Sequence, residues 1–195
     1  MISLIFDTET TGIANFKSKD HDKQPYPVQL ACELVNGDKI INLISIIVNP
    51  GIPIPPDATA VHGISDEVAT TYGLSIKAAT GLFINFLIRC DRIVAHNIDF
   101  DLIITEAMIY RSGVDFDLDR YRKIPRVCTM KSTTNILKLP GSHGYKWPKL
   151  EEAYCHLVNP SGFKGAHDAL ADVRACKAVL HALEAQGMTL LSGDR

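Results

Sequence analysis

The sequence has no long apolar run, no strong excess of either charge and few cysteines among its 195 residues. No stretch approaches the roughly 20 apolar residues that a membrane-spanning helix needs, so no contact with a membrane is expected. The five cysteines are an odd number without a C-x-x-C pair, which argues against a disulfide framework. The first residues lack the basic stretch and apolar core of a signal peptide. These absences favour a soluble cytoplasmic protein whose thiols stay reduced.

The apolar pattern predicts an α/β fold. The chain is 46% hydrophobic, which is enough to bury a full core without disulfide bonds or structural metal ions. We predict a first strand that ends at Phe6, then a hairpin with its turn at Asn36-Gly37. The hairpin strands are predicted at 28–35 and 39–48, a further strand at 93–95, and helices at 65–70, 76–89, from about 100, and at 129–137, 149–157 and 168–185. The expected architecture is a mixed sheet with three antiparallel first strands, flanked by helices, in a single domain over 1–195 with its core at about 2–185 and a short C-terminal tail.

Two acidic residues follow the first apolar run. Asp7 and Glu9 are two positions apart, so on an extended chain their side chains project from the same face. Two such carboxylates repel each other unless one is protonated or a cation lies between them. The pair therefore indicates a divalent metal site. The alternative is that both carboxylates are exposed to solvent at the end of an ordinary strand.

Two later segments add acidic residues at the beginnings of predicted helices. Asp101 follows the apolar run 93–95 and lies in the first turn of the next helix. Asp172 lies in the first turn of the last helix, five positions after His167. Because five residues rotate a helical side chain by roughly 140° from its starting face, we expect His167 on the loop before the helix. The alternative is an exposed loop histidine without a role.

Two further carboxylates leave the acidic set ambiguous. Asp99 lies two positions before Asp101, and a small shift of the helix start would change which of them faces the site. We favour Asp101 and expect Asp99 to be solvated. Asp168 lies four positions before Asp172 and would share its helix face, although it could equally cap the helix. We favour Asp172.

Three motifs together resemble the DEDDh group of 3′ to 5′ exonucleases, which is part of the ribonuclease H-like superfamily. They occupy residues 6–12, residues 96–101, and His167 with Asp172, in the order found in that family. The segment 61–65 is similar to the part of these enzymes that packs on the terminal nucleotide. The resemblance runs from residue 2 to about 183. It implies a ribonuclease H-like mixed sheet and five catalytic residues, namely Asp7, Glu9, Asp101, His167 and Asp172.

The resemblance also implies the cofactors. Asp7, Glu9, Asp101 and Asp172 would hold two divalent ions, with Asp7 bridging them, and His167 would be the general base. Carboxylate oxygens are hard ligands, so Mg²⁺ or Mn²⁺ is expected. Activity should fall in acid, where the base is protonated.

Six residues are expected to contact the substrate. They are Thr8, Thr10, Val61, His62, Asn97 and Phe100. Val61 and His62 would press on the terminal base and help to separate a paired end, so replacing His62 should slow paired ends more than unpaired ends. The alternative is that Val61 belongs to the core and His62 to a turn.

Residues 120–149 contain eight basic and no acidic side chains. Because the whole chain carries a net charge of −2, the remainder carries −10. One hypothesis is that this stretch follows the nucleic-acid backbone, with Tyr145 and Trp147 stacking on bases. The other is a solvated basic face, with Trp147 in the core.

Three functions stay open from the sequence. The first is an exonuclease acting on the 3′ end of single-stranded or frayed DNA, and the second is the same chemistry on RNA or short oligoribonucleotides. The third is a nucleic-acid-binding module without catalysis, which the presence of all five catalytic residues disfavours.

The chain is also similar to the proofreading subunit of bacterial replicative polymerase, but only about a dozen residues follow Leu183, so association with a polymerase is possible without being indicated. The sequence does not reveal the oligomeric state.

Overall fold

The computed structural model describes residues 1–142 and 144–193. Its main sheet consists of β1 (Ile2–Thr10), β2 (Pro27–Asn36), β3 (Lys39–Asn49), β4 (Leu74–Ser75), β5 (Arg92–Ala95) and β6 (Arg126–Cys128). The strand order is β4-β3-β2-β1-β5-β6. β1, β2 and β3 are antiparallel, whereas β5 is parallel to β1 and β6 is parallel to β5. The predicted mixed sheet with an antiparallel start is confirmed.

Helices cover the sheet and connect its strands. They are α1 (Pro56–His62), α2 (Asp66–Tyr72), α3 (Ile76–Leu87), α4 (Ile98–Ser112), α5 (Leu118–Lys123), α6 (Thr129–Leu137), α7 (Leu150–Leu157) and α8 (Ala169–Ala185), and a small hairpin pairs β7 (Pro140–Gly141) with β8 (Gly144–Tyr145). Within the described part of the chain, none of the helices is both long enough and apolar enough to cross a bilayer.

The first strand is longer than the sequence indicated. The prediction that it ends at Phe6 is wrong, because β2 continues the antiparallel ladder along the polar residues that follow. Asp7 lies opposite Ala31, and Glu9 lies opposite Gln29. The register shifts after Glu9. The acidic pair is thus held by a strand in the middle of the sheet, where its backbone is hydrogen-bonded and rigid.

The hairpin between β2 and β3 is confirmed, with its turn one residue later than expected. Asn36 pairs with Lys39, so Gly37 and Asp38 form the two-residue loop. Gly37 has a φ of +57°, which glycine adopts without steric cost.

The two faces of the sheet are covered by different helices. Leu4 and Phe6 of β1 pack with α3 and α4, including Phe83 and Met108. Ile5, between them on the strand, points to the opposite face and packs with α8. The last helix buries Ala169, Val173, Cys176, Leu180 and Leu183, and Leu170 is half-buried. This packing fixes α8 across β1, close to the acidic pair.

The residues after α8 return to the sheet. The backbone N–H of Cys128 in β6 donates to the carbonyl oxygen of Leu191 at 2.7 Å. The N–H of Leu191 donates to Oγ of Ser132 on α6 at 2.9 Å. This tail therefore lies along the outer side of β6, which is the edge of the main sheet.

Candidate active site

Four carboxylates from three elements converge at the end of β1. Asp7 and Glu9 come from the strand, Asp101 from the first turn of α4, and Asp172 from the first turn of α8. Asp101 is 2% exposed and Glu9 is 9% exposed, whereas Asp7 and Asp172 are half-buried. Each of the four is close enough to another member of the set to perturb its ionisation. The structure thus brings together all four acids that the sequence selected.

The position of Asp101 is fixed by the strand that carries the acidic pair. Its Oδ1 accepts hydrogen bonds from the backbone N–H of Thr8 at 3.1 Å and from Thr8 Oγ1 at 2.8 Å. Thr8, which is also a predicted substrate contact, directs its hydroxyl at this carboxylate. Thr8 therefore connects α4 to β1 inside the site.

Asp172 is tied to the loop that precedes its helix. Its Oδ2 accepts a hydrogen bond from the backbone N–H of His167 at 3.1 Å. Ring nitrogen and carboxylate oxygens of His167, Glu9 and Asp172 lie within 4.8 Å of one another. His167 is exposed and has a φ of +68°. The prediction that it lies on the loop before the helix is confirmed.

Asp168 caps α8 and connects it to strand β2 of the main sheet through a hydrogen bond. Its Oδ1 accepts a hydrogen bond from the N–H of Ala171 at 3.0 Å, and its Oδ2 accepts one from Nε2 of Gln29 at 3.1 Å. Gln29 also accepts from the N–H of Ala169 through Oε1 at 3.1 Å. Sequence reasoning missed Gln29, because a single glutamine in an apolar strand gives no signal of a partner 139 residues away.

Asp99 faces away from the other acids. Two residues along a helix rotate a side chain by about 200°, so Asp99 and Asp101 lie on opposite sides of α4. Lys131 Nζ donates to Asp99 Oδ2 at 2.8 Å, and both side chains are nearly buried. The expectation that Asp99 is solvated is therefore wrong.

Burial and the charge of nearby carboxylates raise the pKa of all four converging carboxyl groups. Burial is the larger cause for Asp7, whose pKa lies well above the usual range, and the charge of Asp101 adds to it. Burial and the charge of Asp172 raise the pKa of Glu9 to about 8. Burial raises the pKa of Asp101 to about 7, and that of Asp172 to about 6. Full ionisation of the four groups is therefore unfavourable unless cations offset their charge, and their oxygen donors are those that Mg²⁺ and Mn²⁺ prefer.

A cavity of about 460 Å³ opens beside the acids. It lies between the end of β1 and helix α1, and Glu9 belongs to its wall. Five of the six expected substrate contacts line it, namely Thr8, Thr10, Val61, His62 and Phe100. Asn97 does not line this cavity and sits in a left-handed conformation before α4, with a φ of +67°.

The segment 61–65 forms the end of α1 and the turn after it. Val61 is 54% exposed, so the alternative that it belongs to the core is wrong. His62 Nδ1 accepts a hydrogen bond from the N–H of Ile64 at 3.1 Å. Burial lowers the pKa of His62, which favours the neutral ring against the cavity.

His96 follows β5 directly and contacts two other parts of the chain. Its Nδ1 is 2.9 Å from Oγ1 of Thr129, and its Nε2 is 3.0 Å from the carbonyl oxygen of Pro148. Burial lowers the pKa of His96 to about 4, so the ring is neutral at physiological pH. It joins the end of β5 to α6 and to the loop before α7.

The basic stretch 120–149 is less available for a polyanion than its composition indicated. Arg122 pairs with Glu106 and Asp119, Lys131 with Asp99, and Lys146 with Glu152. Tyr145 and Trp147 are 50% and 63% exposed, so the alternative with Trp147 in the core is wrong. The path of a nucleic-acid backbone along this stretch stays a hypothesis.

The amino-acid sequence is similar to those of known exonucleases. The model of the RNase_T family, described as an exonuclease family, matches residues 4–180. The chain is 33% identical over 192 residues to the uncharacterized exonuclease CP81 of Escherichia phage 186, covering 94% of this chain and 89% of that protein. It is 34% identical over 116 residues to a DNA polymerase III subunit epsilon-like protein of Rhodobacter capsulatus, covering 58% of this chain and 15% of that protein.

Solved structures of exonuclease I share the fold. The E. coli enzyme in complex with a dT13 oligonucleotide superposes with a TM-score of 0.71 at 21% identity, covering 94% of this chain. The chain spans only 41% of that enzyme. With three acid-bearing elements arranged as described and a family match over almost its whole length, the chain belongs to the RNase_T exonuclease family and has a ribonuclease H-like fold.

Proposed function

We propose that the protein is a DEDDh-type exonuclease that hydrolyses phosphodiester bonds at the 3′ end of single-stranded or frayed DNA and releases nucleoside 5′-monophosphates. The observation that carries this proposal is the convergence of Asp7, Glu9, Asp101 and Asp172 beside His167. DNA is preferred over RNA because the exonuclease I structures with this fold hold DNA oligonucleotides.

The four acids fit two divalent metal ions. They supply only hard oxygen donors, and their raised pKa values reflect negative charge that cations would offset. Bound Mg²⁺ or Mn²⁺ would polarise the scissile phosphate and stabilise the charge that develops on the leaving oxygen. Asp101, held by Thr8, and the two acids of β1 form the rigid part of the ligand set. Asp172 joins that set to the loop that carries His167.

His167 is the proposed general base. It is exposed on a loop, so its imidazole can accept a proton from the attacking water and pass it to solvent. The hydrogen bond from its backbone N–H to Asp172 keeps the loop next to the acids. This contact holds the backbone and leaves the ring free to turn toward the water.

The cavity beside Glu9 is the proposed site of the terminal nucleoside. Phe100 and Val61 offer apolar surface to a base, and the Thr10 side chain lies on the strand that carries the acids. A nucleoside placed here has its 5′ phosphate next to the carboxylates. Val61 and His62, at the end of α1, are then positioned to press on the terminal base, as the sequence analysis expected.

RNA is the second candidate substrate, and the same site would cleave it. The choice depends on whether the cavity accepts a 2′ hydroxyl. A binding module without catalysis would not require four acids and a histidine in one place, since burying unpaired carboxylates is costly and both Glu9 and Asp101 are buried.

A digestion series tests the proposal. DNA, RNA and duplex oligonucleotides labelled at the 5′ end would be incubated with Mg²⁺ or with chelator. We expect a ladder of products shortened from the 3′ end, with DNA degraded faster than RNA, and no products with chelator. Immediate release of a labelled mononucleotide would show the opposite polarity and would overturn the proposal. Asp115→Ala, at an exposed acid outside the site, is the control variant and should match the wild type.

A further inference from the structure

A second cavity, of about 610 Å³, lies between the segment 18–24 and helices α4 and α5. Three cationic side chains line it, namely Lys19, Arg122 and Arg126. Among the described residues of its wall, Glu106 is the single carboxylate. We therefore call it the basic cavity.

Positive charge exceeds negative charge in the basic cavity. The carboxylate of Glu106 pairs with Arg122 and lies 3.7 Å from Nε2 of His21. In the part of the chain that the structure describes, Lys19 has no carboxylate partner, and Arg126 donates a hydrogen bond to the carbonyl oxygen of Arg122. A cleft lined mainly by charges of one sign attracts ligands of the opposite sign. The ligand expected here is an anion.

The basic cavity is adjacent to the proposed site of the terminal nucleoside. Segment 13–18 runs from one to the other, because its first residue lines the cavity beside Glu9 and its last residue lines the basic cavity. Helix α4 contributes Phe100 to the first cavity and Glu106 to the second. Six helical residues span about 9 Å, which is the length of about three stacked nucleotides at roughly 3.4 Å each.

An aromatic side chain lies on the segment between the two cavities. Phe16 is 53% exposed. Proteins that bind single-stranded nucleic acid combine cationic side chains along the backbone with exposed rings on which bases stack. Phe16 and the basic cavity supply these two components next to each other along the chain.

We propose that the basic cavity binds phosphates of the same strand whose 3′-terminal nucleoside occupies the cavity beside Glu9. The inference rests on the proposed function and names the residues that hold the substrate upstream of the cleaved bond. Lys19 and Arg126 contact the phosphates about three nucleotides from the 3′ end. A chain with a net charge of −2 thus holds a polyanion by gathering cations in one place beside its acidic site.

Cleavage of thymidine oligonucleotides of two lengths tests this assignment. A dinucleotide is too short to reach the basic cavity, whereas an octanucleotide spans it. With Mg²⁺, Lys19→Gln and Arg126→Gln should each raise KM for the octanucleotide by about threefold to tenfold, with kcat unchanged and the dinucleotide unaffected. Each variant should also reduce the slope of log KM against log salt concentration by about 0.7, because one phosphate contact is lost.

A variant with the opposite effect makes the test specific. Glu106→Gln removes the carboxylate from the wall and releases Arg122 toward a phosphate, so it should lower KM for the octanucleotide by about threefold. Lys77→Gln, at an exposed position on α3 that lines neither cavity, is the charge-matched control and should behave as the wild type does. Circular dichroism would verify that all variants are folded.

The outcomes separate this inference from the proposed function. A wild type that cleaves the octanucleotide, while Lys19→Gln and Arg126→Gln keep its KM and its salt dependence, would overturn the inference alone. Equal increases of KM for the two lengths would also contradict it, because the dinucleotide does not reach the basic cavity. A wild type that cleaves neither oligonucleotide would overturn the proposed function, and this inference with it.

Discussion

Single residues in the candidate active site are held by contacts that cross between elements. Thr8 is the clearest case, because both its backbone N–H and its hydroxyl donate to Asp101. Thr8 precedes Glu9 on β1. Thr8 therefore orients the carboxylate of Asp101 on α4, and the next residue supplies a carboxylate of its own. The sequence identified the acids, since a pair two apart and two helix-start aspartates are visible in it. It could not show that a threonine holds one of them in place.

Replacing Thr8 tests this role. Thr8→Val keeps the shape and the backbone donor but removes the hydroxyl from Asp101. Loss of one hydrogen bond to a charged group should lower kcat by about tenfold, with little change in KM, and should weaken Mn²⁺ binding. Steady-state kinetics and calorimetric Mn²⁺ titration measure these effects.

Thr80→Val is the control, because Thr80 is fully buried and donates to the Met108 carbonyl away from the acids. A Thr8→Val enzyme with unchanged kcat and unchanged Mn²⁺ affinity would show that the hydroxyl does not position Asp101.

The raised pKa values predict how stability depends on pH without metal. A carboxyl group whose pKa is higher in the folded state holds a proton that the unfolded chain releases. The free energy of unfolding should therefore fall as pH rises from about 4 to about 8, the interval between the usual carboxyl pKa values and the pKa of Glu9. Thermal unfolding in chelator should show a melting temperature lower by about 4 °C or more at pH 8 than at pH 5.5.

Adding Mg²⁺ at pH 8 should recover this loss, because cations offset the carboxylate charge. Asp7→Asn should have a shallower pH dependence in chelator than the wild type. Equal dependence in the two proteins would mean that Asp7 does not contribute to the electrostatic strain of the site.

At the scale of secondary-structure elements, the sequence predicted several helices and the hairpin correctly but misplaced the end of the first strand. The 3.6-residue pattern correctly located α6 and α8, and the turn signal correctly located the β2–β3 hairpin. The end of β1 was misplaced, because Asp and Glu are depleted in strands, and pairing with β2 keeps Asp7 and Glu9 extended. The contacts of the last residues with β6 were invisible, since they rest on backbone hydrogen bonds that any sequence could make.

The attachment of α8 to the sheet depends on a buried ion pair that the sequence did not indicate. Glu33 of β2 is fully buried and accepts a hydrogen bond at Oε2 from Lys177 of α8, and Arg174 lies 3.5 Å from Oε1 of the same carboxylate. Lys177→Ala leaves a buried charge with only a partly exposed partner, so we expect a loss of about 3 kcal/mol in the free energy of unfolding. Urea denaturation measures this loss.

Arg174→Ala provides the comparison at the same carboxylate. The Arg174 side chain is 60% exposed, so its removal should cost less than about 1 kcal/mol. Similar losses for the two variants would contradict the assignment of Lys177 as the main partner.

At the scale of the whole molecule, charge is distributed differently from what a linear count showed. The basic stretch 120–149 looked like a nucleic-acid surface because it has no acids of its own. In the fold, carboxylates from α4, α5 and α7 lie against it and offset Arg122, Lys131 and Lys146. A sequence shows which charges are neighbours along the chain, but not which ones meet in space. The converging acids at the end of β1, by contrast, have raised pKa values, because burial and neighbouring carboxylates oppose their ionisation.

The central claim is that this acidic cluster drives cleavage by holding divalent cations. The most direct test is the rate of cleavage of a single-stranded DNA oligonucleotide, in Mg²⁺ and in chelator, by wild type, Asp7→Asn and the control Asp115→Asn. The account predicts that Asp7→Asn slows cleavage by about a hundredfold or more, that chelator stops the wild type, and that Asp115→Asn cleaves normally. Cleavage at the wild-type rate by Asp7→Asn, or by wild type in chelator, would contradict it.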